Sequence, residues 1–451
     1  MELKNMDFGS SYCVSSRKRS SPLSLEQEDE QGSKKFLPTL RSPSPENMSV
    51  TGTDLSERDI KNLEYSFQHL DGDALPETVK NTAVLSRNKI LLQRPNPVEC
   101  ITTLTDGKVV IGSDDSTIKV CDPTKPKGQV LLYTLTEQIR DTEFCSITCI
   151  TTLSNGLVVT GGCNHTVNIW NLGTEGGSCV ACLEGHKRNI TCLLPLSDGS
   201  FVSSCDDHTL KVWKQSPNGY SCTATLSDHE SSVHDVILLS DGNLVSASTE
   251  SLIIWEPAGY QSVSKLQKDT GCVRQLTPLP EGRFVSGSWD GILKVWGKGT
   301  EGYQCFFTQG HTQGHTRGQC WINRLITLPN GNFVSSSSWD STPKVWGRVN
   351  EQYQCLAILK GHTGNISSLT LLPNGLIASG SWDCNVKIWN PDKPEGSRCI
   401  TTLTGNNDFV RCITSLPSAK IITGSWDGST RLWDLEKYSG DAVTDSEDMS
   451  C

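Results

Sequence analysis

The sequence predicts an all-β protein in which eight repeated units close into a ring. Three observations carry this prediction. Tryptophans that end a short apolar strand recur as Trp170, Trp213, Trp255, Trp296, Trp346, Trp389 and Trp433, with Cys121 in the same register ahead of them. From 121 to 433 the chain runs 312 residues in seven intervals of about 44.6, the length of a four-stranded propeller blade. An apolar residue opens each unit, at Val98, Ile147, Ile190, Val233, Val273, Ile322, Ile366 and Val410. It precedes the closing position by 23 residues in six units, 22 in the fourth and 24 in the sixth.

Composition agrees. Of 451 residues, 40 are basic and 50 acidic, a net charge of −10 that makes a poor counter-charge for nucleic acid. No run of 18 apolar residues offers a membrane span, and no apolar core follows the first charges as a secretory signal would. Hydrophobic content of 35% with 39 glycines fits many short strands. The 19 cysteines are odd in number, and a chain this long does not need disulfide staples. The expected location is therefore cytoplasmic, with Arg17-Lys18-Arg19 as a weak nuclear address.

Residues 1–52 are rich in serine, proline and charge and cannot bury enough apolar surface to offset ordering entropy, so they read as a disordered tail. Ser21, Ser42 and Ser44 each precede a proline and suit proline-directed kinases. Over 53–82, Ser56-x-x-Asp59 forms a capping-box-like start, and Ile60, Leu63, Phe67 and Leu70 follow at helical spacing. The array spans 83–435, and 436–451 is an acidic tail.

Within each unit two apolar strands flank a hairpin signal such as Asp106-Gly107, Asn155-Gly156 or Asn374-Gly375, and a third strand ends in Lys-Val-Trp or a variant. Six residues before the closing position stands Asp115, Asn164, Asp207, Asp290, Asp340, Asp383 or Asp427; the fourth unit has Thr249-Glu250 and one residue fewer. With Gly361-His362, Asp383 and Trp433-Asp434, the chain resembles the WD-repeat family over roughly 83–435. The resemblance implies an eight-bladed β-propeller; seven blades would mean discarding the Cys121 unit, whose Asp115 and spacing are intact. A leucine lies seven residues before several opening positions, as at Leu183, Leu226, Leu266, Leu359 and Leu403. The same count back from Val98 reaches Leu91, in Ile90-Leu91-Leu92, while nothing after Trp433 has that pattern. An N-terminal strand is therefore expected to complete blade eight and hide both sheet edges.

His186, Ser203, Asp207 and Trp213 hold the ingredients of a nucleophilic triad. The set recurs as His362, Ser379, Asp383 and Trp389, with 21 residues from histidine to aspartate both times. One ring has no use for a triad in two blades; the resemblance implies structural hydrogen-bonded tetrads instead. Ten cysteines are locked to the repeat and read as small buried hydrophobes: Cys100, Cys149, Cys192 and Cys412 two residues after an opening position, Cys179, Cys222, Cys305 and Cys355 nine after a closing tryptophan, Cys399 ten after, and Cys121. Cys179-x-x-Cys182 lacks a second pair at zinc spacing, and no Walker loop or His-Glu-x-x-His occurs, so no metal, no cofactor and no catalysis are expected.

The residue before each turn aspartate emerges, by resemblance, on the face where partners dock, at the mouth of the central channel. Counted seven before the closing position it is Asp114, Cys163, Asp206 and Ser248 in blades one to four, then Trp289, Trp339, Trp382 and Trp426 in blades five to eight. Positions flanking the opening residue add Arg274, Trp321, Asn323, Asn365, Phe409 and Arg411, against Glu99, Thr148, Asn189 and His234 in the first blades. Tryptophan and arginine are enriched in binding hot spots. Packing of indoles over a duplicated turn is the competing explanation. Trp321 lies outside that turn, just after the insertion Gln309-Gly310-His311-Thr312-Gln313-Gly314-His315, which favours binding.

The expected function is a non-catalytic scaffold, a monomeric ring within a larger complex. It would bind a protein or peptide with an apolar or cationic anchor on this half-rim, and neither nucleic acid nor membrane. The alternative is a substrate receptor of a ubiquitin ligase. Leu75-Pro76 leaves too little room for an F-box ahead of the closing strand, and Trp433-Asp434 continues Leu435-Glu436 without the receptor arginine. No Phe-Arg-Arg-Gly motif supports phosphoinositide binding.

Overall fold

A β-strand in this chain is a short apolar run between turn residues, and such a run cannot satisfy its backbone alone. Eight four-stranded antiparallel sheets result, each made of strands in sequence order. The computed structural model describes residues 96–126, 130–137, 145–174, 176–266, 271–311, 321–338, 340–417, 419–435 and the backbone of Glu447–Met449. The expectations for 1–52 and 53–82 lie outside these residues.

The innermost strands run Val98–Thr103, Ile147–Thr152, Ile190–Pro195, Val233–Leu238, Val273–Pro278, Ile322–Thr327, Ile366–Leu371 and Val410–Ser415. Each packs against the next, and the last packs against the first, so eight blades close a ring around a central bore. Between blades the second strands are buried along their whole length, as in Val109–Ser113 and Phe284–Ser288. Glycine appears there for close approach: a Cβ on Gly161 would lie 2.7 Å from Ile190 of the next blade, and one on Gly287 would lie 2.6 Å from Ile322. Gly424 of blade eight meets Val98 of blade one in the same way. Leu416, Ile422 and Leu432 share one buried cluster with Val98, Val109 and Ile111, so the seam is sealed by the same packing as the other joints.

The fourth strand of blade eight differs from expectation. Ile90–Leu92 lie outside the described residues, and Glu447–Met449 pairs antiparallel with Thr430–Asp434 in their place. The outer strands of other blades carry an apolar leucine, and the sequence pattern pointed to the same here. Edge pairing runs through backbone groups, however, and a three-residue acidic segment can supply them.

All eight innermost strands carry a register shift just after the opening residue, as between Val98 and Cys100 or Val273 and Gln275. Such a bulge bends the strand and re-aims the extra side chain. The extra residues are Glu99, Thr148, Thr191, His234, Arg274, Asn323, Ser367 and Arg411, and six of them bond to the neighbouring blade.

Candidate binding face and the networks beneath it

The opening residue pairs with a partner fifteen positions later in every blade, from Val98 with Ser113 (113 − 98) to Val410 with Ser425 (425 − 410). The next residue is the rim position, and its amide typically donates to the residue before the opener: Trp289 to Cys272 at 2.8 Å, Trp382 to Asn365 at 2.9 Å, Trp426 to Phe409 at 2.9 Å. Two assignments change on this register. In blade four Val233 pairs with Ser248, so Thr249 holds the rim and Ser248 is buried beneath it. In blade six Ile322 pairs with Ser337, and Ser338 donates to Trp321, so Ser338 holds the rim. Trp339 is one residue further on and lies outside the described residues. The missing and extra residues of these two units fall between rim and closing strand, so counting back from the closing tryptophan misplaces the rim by one.

The aromatic side chains converge on blades five to eight. Trp382 and Phe409 stack at 5.1 Å with planes 12° apart, and they are 43% and 39% exposed. Trp289 and Trp321 meet at 6.0 Å, with Trp321 39% exposed. Trp426 is also 39% exposed. Two indole faces are already occupied: Arg274 lies 5.4 Å from the Trp289 ring centre and Arg411 5.9 Å from that of Trp426. Arg411 is further committed to Glu99 across the seam, with its nitrogens 2.8 and 3.1 Å from one carboxylate oxygen. The sequence placed Glu99 and Arg411 on opposite halves; the closed ring makes them neighbours.

Other bulged residues join blades. Thr148 donates to the Ile190 carbonyl at 2.8 Å, Thr191 to Val233 at 2.6 Å and Asn323 to Ile366 at 2.9 Å, and Ser367 donates to Val410. His234 instead sits 3.2 Å from the Thr249 hydroxyl, and burial, then Arg274, pulls its imidazole down to about 3.

Beneath the rim lie the polar networks. In blade seven His362 Nε2 is 2.8 Å from Ser379 Oγ, its Nδ1 is 2.7 Å from Asp383, and Trp389 Nε1 donates to Ser379 at 2.7 Å. Blade three repeats this with His186, Ser203, Asp207 and Trp213, at 2.7, 3.1 and 2.8 Å. Asp383 also accepts from the Thr363 and Asn385 amides, both at 3.0 Å. Burial pushes its carboxyl up, but the bonds from His362 and the amides outweigh it and bring Asp383 to about 2. The serine is fully buried and committed to tryptophan and histidine.

Further networks escaped the sequence reading, among them one in blade six, where His311 Nδ1 lies 3.3 Å from Asp340 and Trp346 donates to Ser335 at 2.7 Å. Blade four keeps His229, Ser246 and Trp255, but Ser251 replaces the aspartate, 3.2 Å from His229 Nδ1. With no carboxylate, burial and then Lys265 hold His229 down at about 4. Blade two substitutes Glu137 for histidine: its carboxylate accepts from Thr160 and from Asn164 at 2.8 Å, and Trp170 donates to Thr160 at 2.9 Å. Blade eight uses Asn406, Thr423 and Trp433. The signal available for blades four and eight was the 17-residue spacing from first to second member, as in His362 to Ser379.

The cysteines divide. Cys100, Cys149, Cys192 and Cys412 pack against the buried apolar clusters of the ring, and burial pushes their thiols up, Cys149 and Cys412 to about 12. Cys179, Cys222, Cys305 and Cys355 are exposed, contrary to the expectation of burial. They lie on outermost strands, which pack on one side only, so a repeat-locked position there need not be a buried one. His186, Cys205 and Asp207 lie close enough to suit a metal. Their atoms are already engaged, however: His186 with Ser203 and Asp207, and Cys205 with the Arg188 carbonyl at 3.3 Å.

The family description "WD domain, G-beta repeat" matches residues 177–214, 220–256, 260–297, 306–347, 353–390 and 397–434, just over half of the chain. The chain belongs to the WD-repeat family. Among solved structures it is similar to the computationally designed Ika8 protein, with 26% identity and a TM-score of 0.61, covering 75% of this chain and 96% of that one. The WD40 propeller domain of Doa1 also matches, with 22% identity, a TM-score of 0.48 and coverage of 75% and 93%. No curated protein matches the chain. WD-repeat propellers commonly act as non-catalytic scaffolds for protein partners. Among the described residues, no helix is long and apolar enough to cross a membrane.

Proposed function

We propose that this WD-repeat propeller is a non-catalytic scaffold that binds a partner peptide or protein on the rim of blades five to eight. The observation that carries the reading is the exposed Trp382–Phe409 stack, with Trp426 and the Trp289–Trp321 pair on the same half of one face. Exposed large aromatics are costly to leave in water, and they are the residues on which interfaces concentrate their affinity. An apolar anchor fits this surface. Among the described residues, a cationic anchor finds rings without a covering cation at Trp321, Trp382 and Phe409, because Arg274 and Arg411 already cover Trp289 and Trp426. Arg274 and Arg411 would orient these rings rather than reach for the partner. The ring acts as a monomer within a larger complex.

Replacing Trp382 and Phe409 together with alanine tests the reading. The expected result is loss of co-purifying partners with an unchanged melting profile. Full partner retention by the double variant, with loss instead in an Asp114→Ala/Asp206→Ala variant, assigns binding to the other half.

A further inference from the structure

The rim of blade two carries a thiol, and a second thiol lies against it. Cys163 holds the rim position, and its amide donates to the Ser146 carbonyl at 3.2 Å. Its Sγ lies 3.5 Å from the same oxygen. Cys145 directly precedes Ser146, and its thiol donates a hydrogen bond to Cys163. Both are thiols rather than halves of a disulfide. Cys145 is buried, at 2% exposure, while Cys163 is partly open to solvent.

Neither sulfur is loosely placed. Ser116 of blade one, itself buried, donates from its hydroxyl to the Cys145 carbonyl at 2.7 Å and accepts from the Cys145 amide at 2.9 Å. The pairing of Ile147 with Gly162 fixes the two strands from which the cysteines extend. Adjacent strands stand about 4.7–4.9 Å apart, so residues across the ladder fall within the Cα range that a disulfide spans. Sulfurs that already hydrogen-bond need only a small rotation to reach the S–S distance of about 2 Å.

The two thiols also differ in the way that oxidation requires. The hydrogen bond from Cys145 pulls the Cys163 thiol down and outweighs its partial burial. Burial instead pushes up the thiols of Cys179 and Cys355, although both residues are more exposed than Cys163. An acidic, partly exposed thiol backed by a second one suits attack on a peroxide followed by resolution to a disulfide.

We propose that Cys163 and Cys145 form a peroxide-sensitive dithiol on the docking face, with Cys163 as the reacting thiol and Cys145 as the one that resolves it. The Cys163 sulfur attacks the terminal oxygen of a hydroperoxide. The O–O bond breaks, and the other oxygen leaves with the Cys163 proton as water or an alcohol. Cys163 is then a sulfenic acid. The Cys145 sulfur attacks it, the S–O bond breaks, and the hydroxide leaves with the Cys145 proton as water. The two thiols together lose two electrons, and the peroxide gains them. The new bond ties the rim of blade two to the entry of its innermost strand, on the half of the face that lacks the tryptophans.

The full chain, reduced and desalted, is treated with equimolar hydrogen peroxide and blocked with N-ethylmaleimide, and its peptides are read by mass spectrometry. A Cys145–Cys163 bridge, lighter by two hydrogens, should be the main product and should revert with dithiothreitol. Cys163 should react roughly tenfold faster than Cys179 or Cys355. In Cys145→Ser, Cys163 should stop at the sulfenic acid and be trapped by dimedone, and Cys163→Ser should give neither product. The wild-type digest decides even if a serine variant fails to fold. Faster reaction at Cys179 or Cys355 overturns the proposal, as does a Cys163 that stays reduced or pairs with another cysteine. A bridge that forms with oxidised glutathione but not with peroxide overturns the peroxide chemistry.

Discussion

Trp382 and Asp383 are neighbours in one turn of blade seven, yet one meets solvent and the other closes a buried network. Trp382 stacks on Phe409 and touches water over 43% of its surface. Asp383 accepts from His362 and from two backbone amides. The turn is thus held from below by the carboxylate and from beside by the amide of the rim residue, while the Trp382 indole stacks outward on Phe409. That is why the rim can be Asp114, Cys163, Asp206, Thr249, Ser338 or tryptophan while the turn persists. A position whose side chain folding does not need is free to serve a partner.

The largest effect is expected at Asp383. Asp383→Ala strands His362 Nδ1 and the Thr363 and Asn385 amides, and it should cost roughly 3 kcal/mol. Trp382→Ala, one residue away, should cost well under 1 kcal/mol of stability because its side chain already meets solvent over 43% of its surface. Urea melts of the two variants measure both. Equal losses would mean that the indole packs the turn and that the rim is structural.

At the rim the expected effect moves from stability to affinity. Trp382→Ala with Phe409→Ala should weaken partner binding by about 2 kcal/mol or more if the stack is a central anchor. Asp114→Ala with Asp206→Ala should change it by less than about 0.5 kcal/mol. Titration calorimetry with a selected peptide separates the halves, and a larger loss from the acidic pair reverses the assignment.

Acid sharpens the contrast among networks. The folded state holds His229 down at about 4 against an ordinary 6.5, so its stabilising contribution is present above 6.5 and is lost as pH falls from 6.5 to 4. Asp383, held at about 2 against 3.8, loses its contribution only between 3.8 and 2. Asp235, raised from 3.8 to about 6, has the opposite sign, and its contribution is lost as pH rises through that window. The gap in melting temperature between wild type and His229→Gln isolates blade four. It should narrow from pH 7 to pH 4.5, and a gap that stays constant would show that His229 carries no such shift.

Eight blades were legible because two markers, the opening residue and the closing tryptophan, recur together and leave few alternatives. The rim was legible in six blades only. In blades four and six the extra or missing residue lies inside the marked interval, and strand pairing alone shows on which side of the rim it falls. Thr249 and Ser338 follow from the pairing of Val233 with Ser248 and Ile322 with Ser337. Glu137 was hidden for another reason: it stands 23 residues before Thr160 where histidine stands 17 before Ser379, and only the folded chain shows which acid arrives at the network. Contacts across the seam, such as Arg411 with Glu99, join residues 312 apart, and no local pattern announces them.

The smallest effect comes from a residue that the sequence set on the docking face and the structure turns sideways. Asn323 flanks Trp321 at the mouth of blade six, but its amide donates to the Ile366 carbonyl of blade seven at 2.9 Å. Thr148 and Thr191 make the equivalent bond in blades two and three, so the contact belongs to the joints between blades. Asn323→Ala removes one neutral hydrogen bond and leaves a carbonyl that water in the bore can reach. It should therefore lower stability by about 1 kcal/mol, a shift of roughly 2 °C or less for an array of this size. Affinity for a rim-bound peptide should not change. Asn323→Asp places a carboxylate against that carbonyl and should destabilise more than alanine does. If Asn323→Ala instead keeps its melting temperature and loses the peptide, the side chain works for the partner, and the boundary between the rim and the layer beneath must be drawn one residue deeper along the strand.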